Sequence, residues 1–337
     1  MTLEALLGKK TKYDIVGETG LLLVPARAML DSESLRLLRQ HRVHHSDVYT
    51  ISDDEPEAES PAESIREAAK YSKGLFDRIR ESREIPAEEI ERELIPIVRE
   101  ASRHPDLFRL FESVKAKDEY THRHNIGVGV LSTMIGRWMG LDEDELALLA
   151  LAATLHDVGK VRIPEEILLK PGKLTEEEFA EMKRHAAYGY ELLAGTSGLS
   201  PRVALVALQH HERTDGSGYP QRLRSSETDP LSRIVAVADV FHAMSSRRPY
   251  HEPLPFHEVV ARMRHGSFGE LDPHVVTVFL DNLIRHLIGR SVKLTDGRWG
   301  VVVRINPHDD TRPLVKVDRE YIDLSAERHI QIQEIIV

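Results

Sequence analysis

The sequence predicts a mainly α-helical bundle, with a small β-containing module before it and a small antiparallel β tail after it. Three observations lead there. Through the long middle of the 337-residue chain, apolar residues recur near 3.6 spacing. At both ends, short β-branched runs are separated by glycine-containing turns. The composition, 41% hydrophobic and 30% charged, suits a folded chain with a core of its own.

Residues 1–52 read as a small α/β module. Tyr13 to Gly17 and Leu21 to Pro25 are short strands separated by Gly17 and Gly20, Asp31 caps a helix, and Val48 to Ile51 is a closing strand. Residues 53–103 hold an acidic linker, DDEPEAESPAE at 53–63, and connecting helices. The antiparallel helix pair from about 63 to 102 offers a surface for a homodimer. Residues 104–288 form the helical body, with segments near 119–139, 143–157, 175–194, 201–212, 229–246, 255–265 and 273–288. In residues 289–337, Val292 to Leu294, an Asp296-Gly297 turn and Trp299 to Ile305 make a hairpin; Leu314 to Val317 and Tyr321 to Leu324 add strands.

Composition also excludes functions. Without cysteine there are no disulfides, thiolate zinc sites, Fe–S clusters or cysteine nucleophiles. A net charge of −10 argues against binding nucleic acid polymers. No apolar run reaches the ~18 residues of a membrane span; the longest is Leu146 to Leu155. The opening MTLEALLGKKTKYD makes a poor signal peptide, so a cytoplasmic protein without membrane insertion is expected. With 18 histidines and no thiol, metal chemistry would use imidazole and carboxylate.

The candidates for that chemistry lie in the helical body. His156-Asp157 ends the apolar run 146–155, and an aspartate there can bridge two cations with its two oxygens. His210 and His211 end another helix. On a helix they point about 100° apart, so they serve two neighbouring ions, or one is core and the other surface. His185 follows the helix Glu176 to Lys183, and His124 lies in YTHRHN at 120–125. Asp239 sits in the apolar run Ile234 to Phe241, where an ionised carboxylate must meet a metal or an arginine. Together His124, His156, Asp157, His185, His210, His211 and Asp239 are too many donors for one tetrahedral ion. They suit two cations sharing a carboxylate. Glu212 is placed to orient a ligand histidine from behind. Asp215, Gly216, Gly218, Tyr219 and Pro220 form a turn-rich loop that walls the site or meets a protein partner.

Four motifs, YTHRHN (120–125), LHDVGK (155–160) with IPEEILLKPGKLTEEE (163–178), HHERTDGSGYP (210–220) and ADVFHAMSSRRPY (238–250), resemble those of the HD-GYP phosphodiesterases, a branch of the HD-domain metal hydrolases. The resemblance covers roughly residues 104–286 and implies an HD-type helical bundle that hydrolyses cyclic di-GMP to pGpG, and in many members onward to GMP. It places the seven donors on metal-ligand positions, with Asp157 bridging, and Lys160 and Arg248 on substrate phosphates. It implies two divalent metals, iron or manganese first, with zinc, nickel or cobalt also suited to the donors. Tyr120 stands where members with a third metal carry Glu, so two ions are expected.

The chain departs from the family pattern at Asn125, Gly127, His242 and His251, where Ser, Arg, Asp and a basic residue are usual. His251 is a substrate-binding candidate that can protonate beside phosphate. In the implied mechanism a bridging hydroxide, oriented by Asp157, attacks phosphorus, while Lys160 and the metals stabilise the phosphoryl oxygens. The departures keep two other readings open. One is a catalytically weak regulator that binds a cyclic dinucleotide or a protein partner. The other is a phosphodiesterase for another cyclic dinucleotide.

Overall fold

The structure, a computed structural model, describes residues 3–11, 15–17, 22–24, 28–43, 45, 48, 50–51, 61–104, 106–114, 120–246, 253–266, 269–306 and 308–336. The expectations at Tyr13, Leu21, Pro25 and the linker 52–60, and those at Arg248 and His251, lie outside these residues. The chain divides into two compact units. One contains Met1–Ser60, His104–Phe108 and Asn282–Val337; the other contains Pro61–Arg103 and Arg109–Asp281.

In the first unit, β1 (Lys10–Thr11), β2 (Ile15–Val16), β3 (Leu22–Val24), α1 (Ser32–Gln40) and β4 (Thr50–Ile51) form the N-terminal module. Asp31 caps α1 by accepting from Ser34 N at 2.7 Å. The apolar face of α1, Leu35 and Leu38, packs with Leu6, Ile15, Leu23, Val24 and Leu30. The sequence reading did not anticipate β1. It pairs antiparallel with β4, Thr11 opposite Thr50, a contact that no local pattern announces.

The second unit is helical. It begins with α2 (Pro61–Ser82), α3 (Ala87–Glu93) and α4 (Ile95–Ala101). The expected partner of α2 is therefore two helices. They meet at Leu94 because Pro96, in the first turn of α4, has no N–H to continue a helix from α3. Then come α5 (Leu107–Val114), which straddles the division, α6 (Tyr120–Trp138) and α7 (Glu143–Leu155). Next are α8 (Glu165–Leu168), α9 (Glu176–Lys183), α10 (His185–Ala194) and α11 (Pro201–Gln209). The body ends with α12 (Pro230–Ser245), α13 (Phe256–Gly266) and α14 (Pro273–Arg285), the last also crossing the division. The segment expected near 175–194 is divided at Arg184 into α9 and α10.

Helix α7 organises this unit. Asp142 caps it through Asp144 N and Glu145 N, and Leu149 to Leu155 are all buried, as in a helix with apolar neighbours on every side. Helices α6 and α11 pack on it, α12 packs on both of those, and α10 packs on α11. Phe111, Phe241 and Phe279 meet in the core with ring centroids 5.0 and 4.7 Å apart. Four helices, α6, α10, α11 and α12, are thereby gathered around α7, directly or through one another. Among the described residues, no helix is long and apolar enough to cross a membrane.

The chain ends in a five-stranded antiparallel sheet: β5 (Ser291–Leu294), β6 (Trp299–Arg304), β7 (Leu314–Val317), β8 (Glu320–Asp323) and β9 (Ile332–Ile336), in the order β8-β7-β6-β5-β9. The register sets Val302 opposite Val315 and Val315 opposite Ile322, so one face is apolar and buried. The edge strand β9, absent from the sequence reading, pairs with β5 across nearly the whole tail.

Candidate metal centre

Local structure delivers each donor to one place. His156 and Asp157 follow the last turn of α7, and residues Val158–Arg162 make a 3-10 turn beyond them. That turn lies directly on the start of α10. A Cβ on Gly159 would come within 1.9 Å of the His185 carbonyl oxygen and 2.4 Å of Gly189 N, so only glycine permits the approach. His185 opens α10, His210 and His211 follow α11, His124 lies in the first turns of α6, and Asp239 lies in the middle of α12.

Asp157 is the shared member. Its Oδ1 is 3.3 Å from His185 Nε2 and 3.8 Å from His210 Nε2. Its Oδ2 is 3.4 Å from His156 Nε2 and 3.7 Å from His124 Nε2. One oxygen thus faces each half of the cluster. Two donor groups, Asp157-His185-His210-His211 and His124-His156-Asp157, each have their ligand atoms within 4.8 Å of one another. The expectation that His210 and His211 serve different ions, or that only one faces the core, is corrected: both follow the end of α11 and fall in one group. Asp239 joins through His124, with Oδ1 3.1 Å from its Nε2. Of the two partners expected for Asp239, it meets this imidazole cluster rather than an arginine among the described residues. All seven are buried except His211, which is half-buried.

Three rings are oriented from behind. Nδ1–H of His156 donates to Ala153 O at 2.7 Å, that of His185 to Met182 O at 2.7 Å, and that of His210 to Ala207 O at 3.0 Å. The inward atom of each is then a bare Nε2, the form a metal requires. His156 Nε2 and Asp157 Oδ1 have no hydrogen-bond partner although both are buried. A buried polar atom without a hydrogen bond costs about 1–3 kcal/mol. A cation between them removes that cost, so the donor set fits divalent metal.

Electrostatics agree. Burial pushes His210 down to about 3, helped by His156 and His185. Burial also lowers His124 and His185, and holds His211 well below the ordinary histidine range. Burial opposes ionised Asp157, but Lys160, His156 and His185 outweigh it and hold the carboxyl far below its usual value. Asp239 is held equally low, burial being overcome by His124, His156 and His211. His156 is the exception: burial lowers it, Asp157 and Asp239 win, and its pKa lies above the ordinary value. The cluster therefore offers mostly neutral imidazoles and two carboxylates, as cation binding needs.

Around these donors stand the other predicted residues. Lys160 donates its ammonium to Asp157 Oδ2. The 215–220 loop lies against His211: the Tyr219 ring stacks on the His211 ring at 4.6 Å, and Tyr219 N donates to His211 O at 3.2 Å. Asp215 accepts from Ser217 N at 2.8 Å, Gly216 has φ of +83°, and Pro220 follows a cis bond from Tyr219. A Cβ on Gly218 would fall 2.4 Å from Arg213 N. The expectation that Glu212 orients a ligand histidine is corrected. Its two oxygens accept from Gln221 N at 2.7 Å and Leu223 N at 2.9 Å, so it fastens the loop's return. His242, noted in the sequence only as a departure from the family pattern, lies with its Nδ1 3.1 Å from His124 Nδ1. The signal available was its place three residues after Asp239, on the same face of α12. Gly159 and Gly189 were missed because only the packed helices show the approach.

The comparisons with known proteins bear on this arrangement. The HD domain model matches residues 99–275, which hold all seven donors. The chain belongs to the HD domain family. Of its relatives, the cyclic di-GMP phosphodiesterase PA4108 of Pseudomonas aeruginosa is 37% identical over 215 residues, 64% of this chain and 52% of that protein. A cyclic di-GMP phosphodiesterase of Thermotoga maritima is 45% identical over 181 residues, 52% of this chain and 49% of that protein. The 3′3′-cGAMP-specific phosphodiesterase 1 of Vibrio cholerae is 41% identical over 170 residues, 50% of this chain and 39% of that protein. The chain thus spans about half the length, or less, of these curated relatives. The HD domain fold also recurs in Bd1817, a HDG"Y"P protein from Bdellovibrio bacteriovorus, with a TM-score of 0.55 and 17% identity over 84% of this chain and 98% of that one. As an HD domain protein with HD-GYP-type motifs, the chain matches the resemblance read from its sequence.

Proposed function

We propose that the helical body hydrolyses cyclic di-GMP to linear pGpG, and onward to GMP, at a centre of two divalent cations. The observation that carries this reading is the division of Asp157, with one carboxylate oxygen toward His185 and His210 and the other toward His124 and His156. Relatives named as cyclic di-GMP phosphodiesterases support the substrate.

His124, His156, Asp157 and Asp239 would hold one cation, and His185, His210, His211 and Asp157 the other. When bound, the cations supply an activated water and offset the charge growing on the phosphoryl oxygens. The protein's own contributions follow from its geometry. Asp157 holds both halves of the centre in one register. His156, whose pKa is raised in the metal-free cluster by Asp157 and Asp239, would have to present its Nε2 without a proton to ligate. Lys160, paired with Asp157 Oδ2, places an ammonium where phosphoryl charge develops. Tyr219, half-buried with its ring stacked on His211, would form one wall of the centre. Arg248 and His251 are proposed phosphate contacts beyond Lys160. Iron or manganese is the proposed metal on the strength of the HD-GYP resemblance; the nitrogen and oxygen donors suit zinc, nickel or cobalt as well.

A second substrate reading rests on the 3′3′-cGAMP-specific relative, which matches at 41% identity. Turnover of cyclic di-GMP and of 3′3′-cGAMP by Mn²⁺- or Fe²⁺-loaded protein, with products separated by chromatography, tests both. The proposal expects pGpG first, and GMP after it, from cyclic di-GMP. Faster turnover of 3′3′-cGAMP would transfer the assignment to that substrate. Saturable binding of either nucleotide without turnover under any metal would make the protein a regulator.

A further inference from the structure

Helix α9 carries an aromatic ring and a cation that the metal centre does not use. Phe179 and Lys183 lie four residues apart, on one face of the helix. The Phe179 residue is 50% exposed, and the Lys183 ammonium stands over its ring, 5.0 Å from the centroid. The same ammonium is 5.9 Å from the centroid of the Tyr219 ring, which in turn stacks on His211. One tyrosine ring therefore separates Lys183 from a donor of the centre, and Lys183 comes two residues before the donor His185. Lys170, Arg162 and Arg184, by contrast, pair with Glu178, Glu191 and Glu181. Lys183 has no carboxylate partner among the described residues. A ring face attracts its charge and leaves N–H donors for a ligand.

An exposed ring face beside an unneutralised ammonium suits a planar group with acceptors on its edge. A purine base is such a group. In a cyclic dinucleotide each base hangs one ribose from a phosphate, so a phosphate held at the cations carries a base to the rim of the centre. Guanine presents O6 and N7 on one edge, both acceptors, and an ammonium serves them together. Adenine presents N7 and an N6 amino group there, so the same ammonium meets a donor. A ring such as Phe179 stacks on either base alike, because every base has a π-face. Selection between the two falls to the cation.

We propose that Phe179 and Lys183 form a guanine-binding subsite at the rim of the metal centre. Phe179 holds the base by stacking, and Lys183 donates to its O6 and N7. The pair favours a cyclic dinucleotide that carries guanine over one that carries only adenine. This subsite rests on the cyclic dinucleotide reading above, and it adds no donor to the seven.

The test separates base from phosphate. KM for cyclic di-GMP, and the inhibition constant of cyclic di-AMP against it, are measured for Mn²⁺-loaded wild type, Lys183→Met, Lys183→Arg and Phe179→Leu, with manganese per chain recorded on each sample. Lys183→Met keeps an apolar stem and loses the donors. It is expected to raise KM about 10–100-fold while the inhibition constant of cyclic di-AMP moves less than about threefold. Lys183→Arg, which can serve O6 and N7 together, is expected to keep most of the preference. Phe179→Leu is expected to weaken both nucleotides together by about tenfold. An equal loss of both nucleotides in Lys183→Met assigns the ammonium to phosphate and overturns the subsite. Loss of manganese by Lys183→Met and Lys183→Arg alike makes the residue part of the centre's framework and overturns it too. Hydrolysis of cyclic di-GMP by wild type, with KM unchanged in Lys183→Met, overturns the subsite alone. A wild type that hydrolyses no cyclic di-GMP overturns it together with the reading beneath it.

Discussion

Gly159→Ala is the most demanding substitution for this fold, because the atoms its Cβ meets are backbone. The added carbon would sit 1.9 Å from the His185 carbonyl oxygen and 2.4 Å from Gly189 N. Ordinary contact is near 3.4–4 Å, so the 3-10 turn and α10 must separate by more than an ångström. Overpacking of a buried site typically costs about 1–3 kcal/mol, and more where backbone must move, which places Gly159→Ala at roughly 3 kcal/mol or above. The same motion carries His185 away from Asp157 and opens one half of the centre. Gly189→Ala provides an internal scale: its Cβ meets Ala207 Cβ at 3.2 Å and Gly159 N at 3.4 Å, a contact that small shifts relieve. Its cost should be about 1 kcal/mol, and Ala207→Gly should recover most of it. Urea unfolding of the metal-free proteins, followed by circular dichroism and paired with metal content after reloading, measures both. A Gly159→Ala protein that unfolds at the wild-type midpoint and reloads fully would refute the close-approach argument.

Three further outcomes follow. Metal uptake should strengthen with rising pH through the elevated pKa of His156 and level off above it, because the metal-free ring must shed a proton to ligate, whereas His124, His185 and His210 are lowered and need not. Calorimetric titration in buffers of different ionisation enthalpy should show up to one proton released near neutral pH and fewer at higher pH; release of two or more, or no dependence on pH, contradicts this assignment. Lys160→Met should lower kcat by about 10²–10³-fold while metal content stays at the wild-type level, as expected for loss of one transition-state charge; an unchanged kcat would remove Lys160 from the mechanism. Glu212→Gln should weaken the loop by about 1.5–3 kcal/mol through its two charge-assisted bonds to Gln221 N and Leu223 N. Hydrogen exchange should rise at those two amides with both cations retained; loss of metal without faster exchange would restore the histidine-orienting role.

Asp239 and the His156-Asp157 pair stand out locally in the sequence, whereas His124, His185, His210 and His211 join them through the set of motifs. An aspartate inside Ile234 to Phe241 and a His-Asp pair at the end of a ten-residue apolar run have few uses in a core except metal or ion pairing. The helical body was legible for a similar reason, since its periodicity is set by burial. What local pattern lacks is the partner. Which oxygen of Asp157 faces which histidine depends on how α6, α10 and α11 pack around α7. The short strand β1 finds β4 some 40 positions away, and β9 becomes a strand only by pairing with β5. Glu212 sits beside two histidines in sequence, yet its carboxylate turns to amides nine and eleven residues on. His242 could be placed on the face of Asp239 but not against His124, because that contact belongs to the crossing of two helices.

The most direct measurement is the metal content of anaerobically purified protein, wild type and Asp157→Ala, with turnover of cyclic di-GMP recorded on the same samples. Two cations per wild-type chain, at most one in the variant, and hydrolysis abolished with the loss are what a shared carboxylate requires. Two cations retained by Asp157→Ala, or hydrolysis at the wild-type rate, would contradict the arrangement on which the proposed chemistry stands.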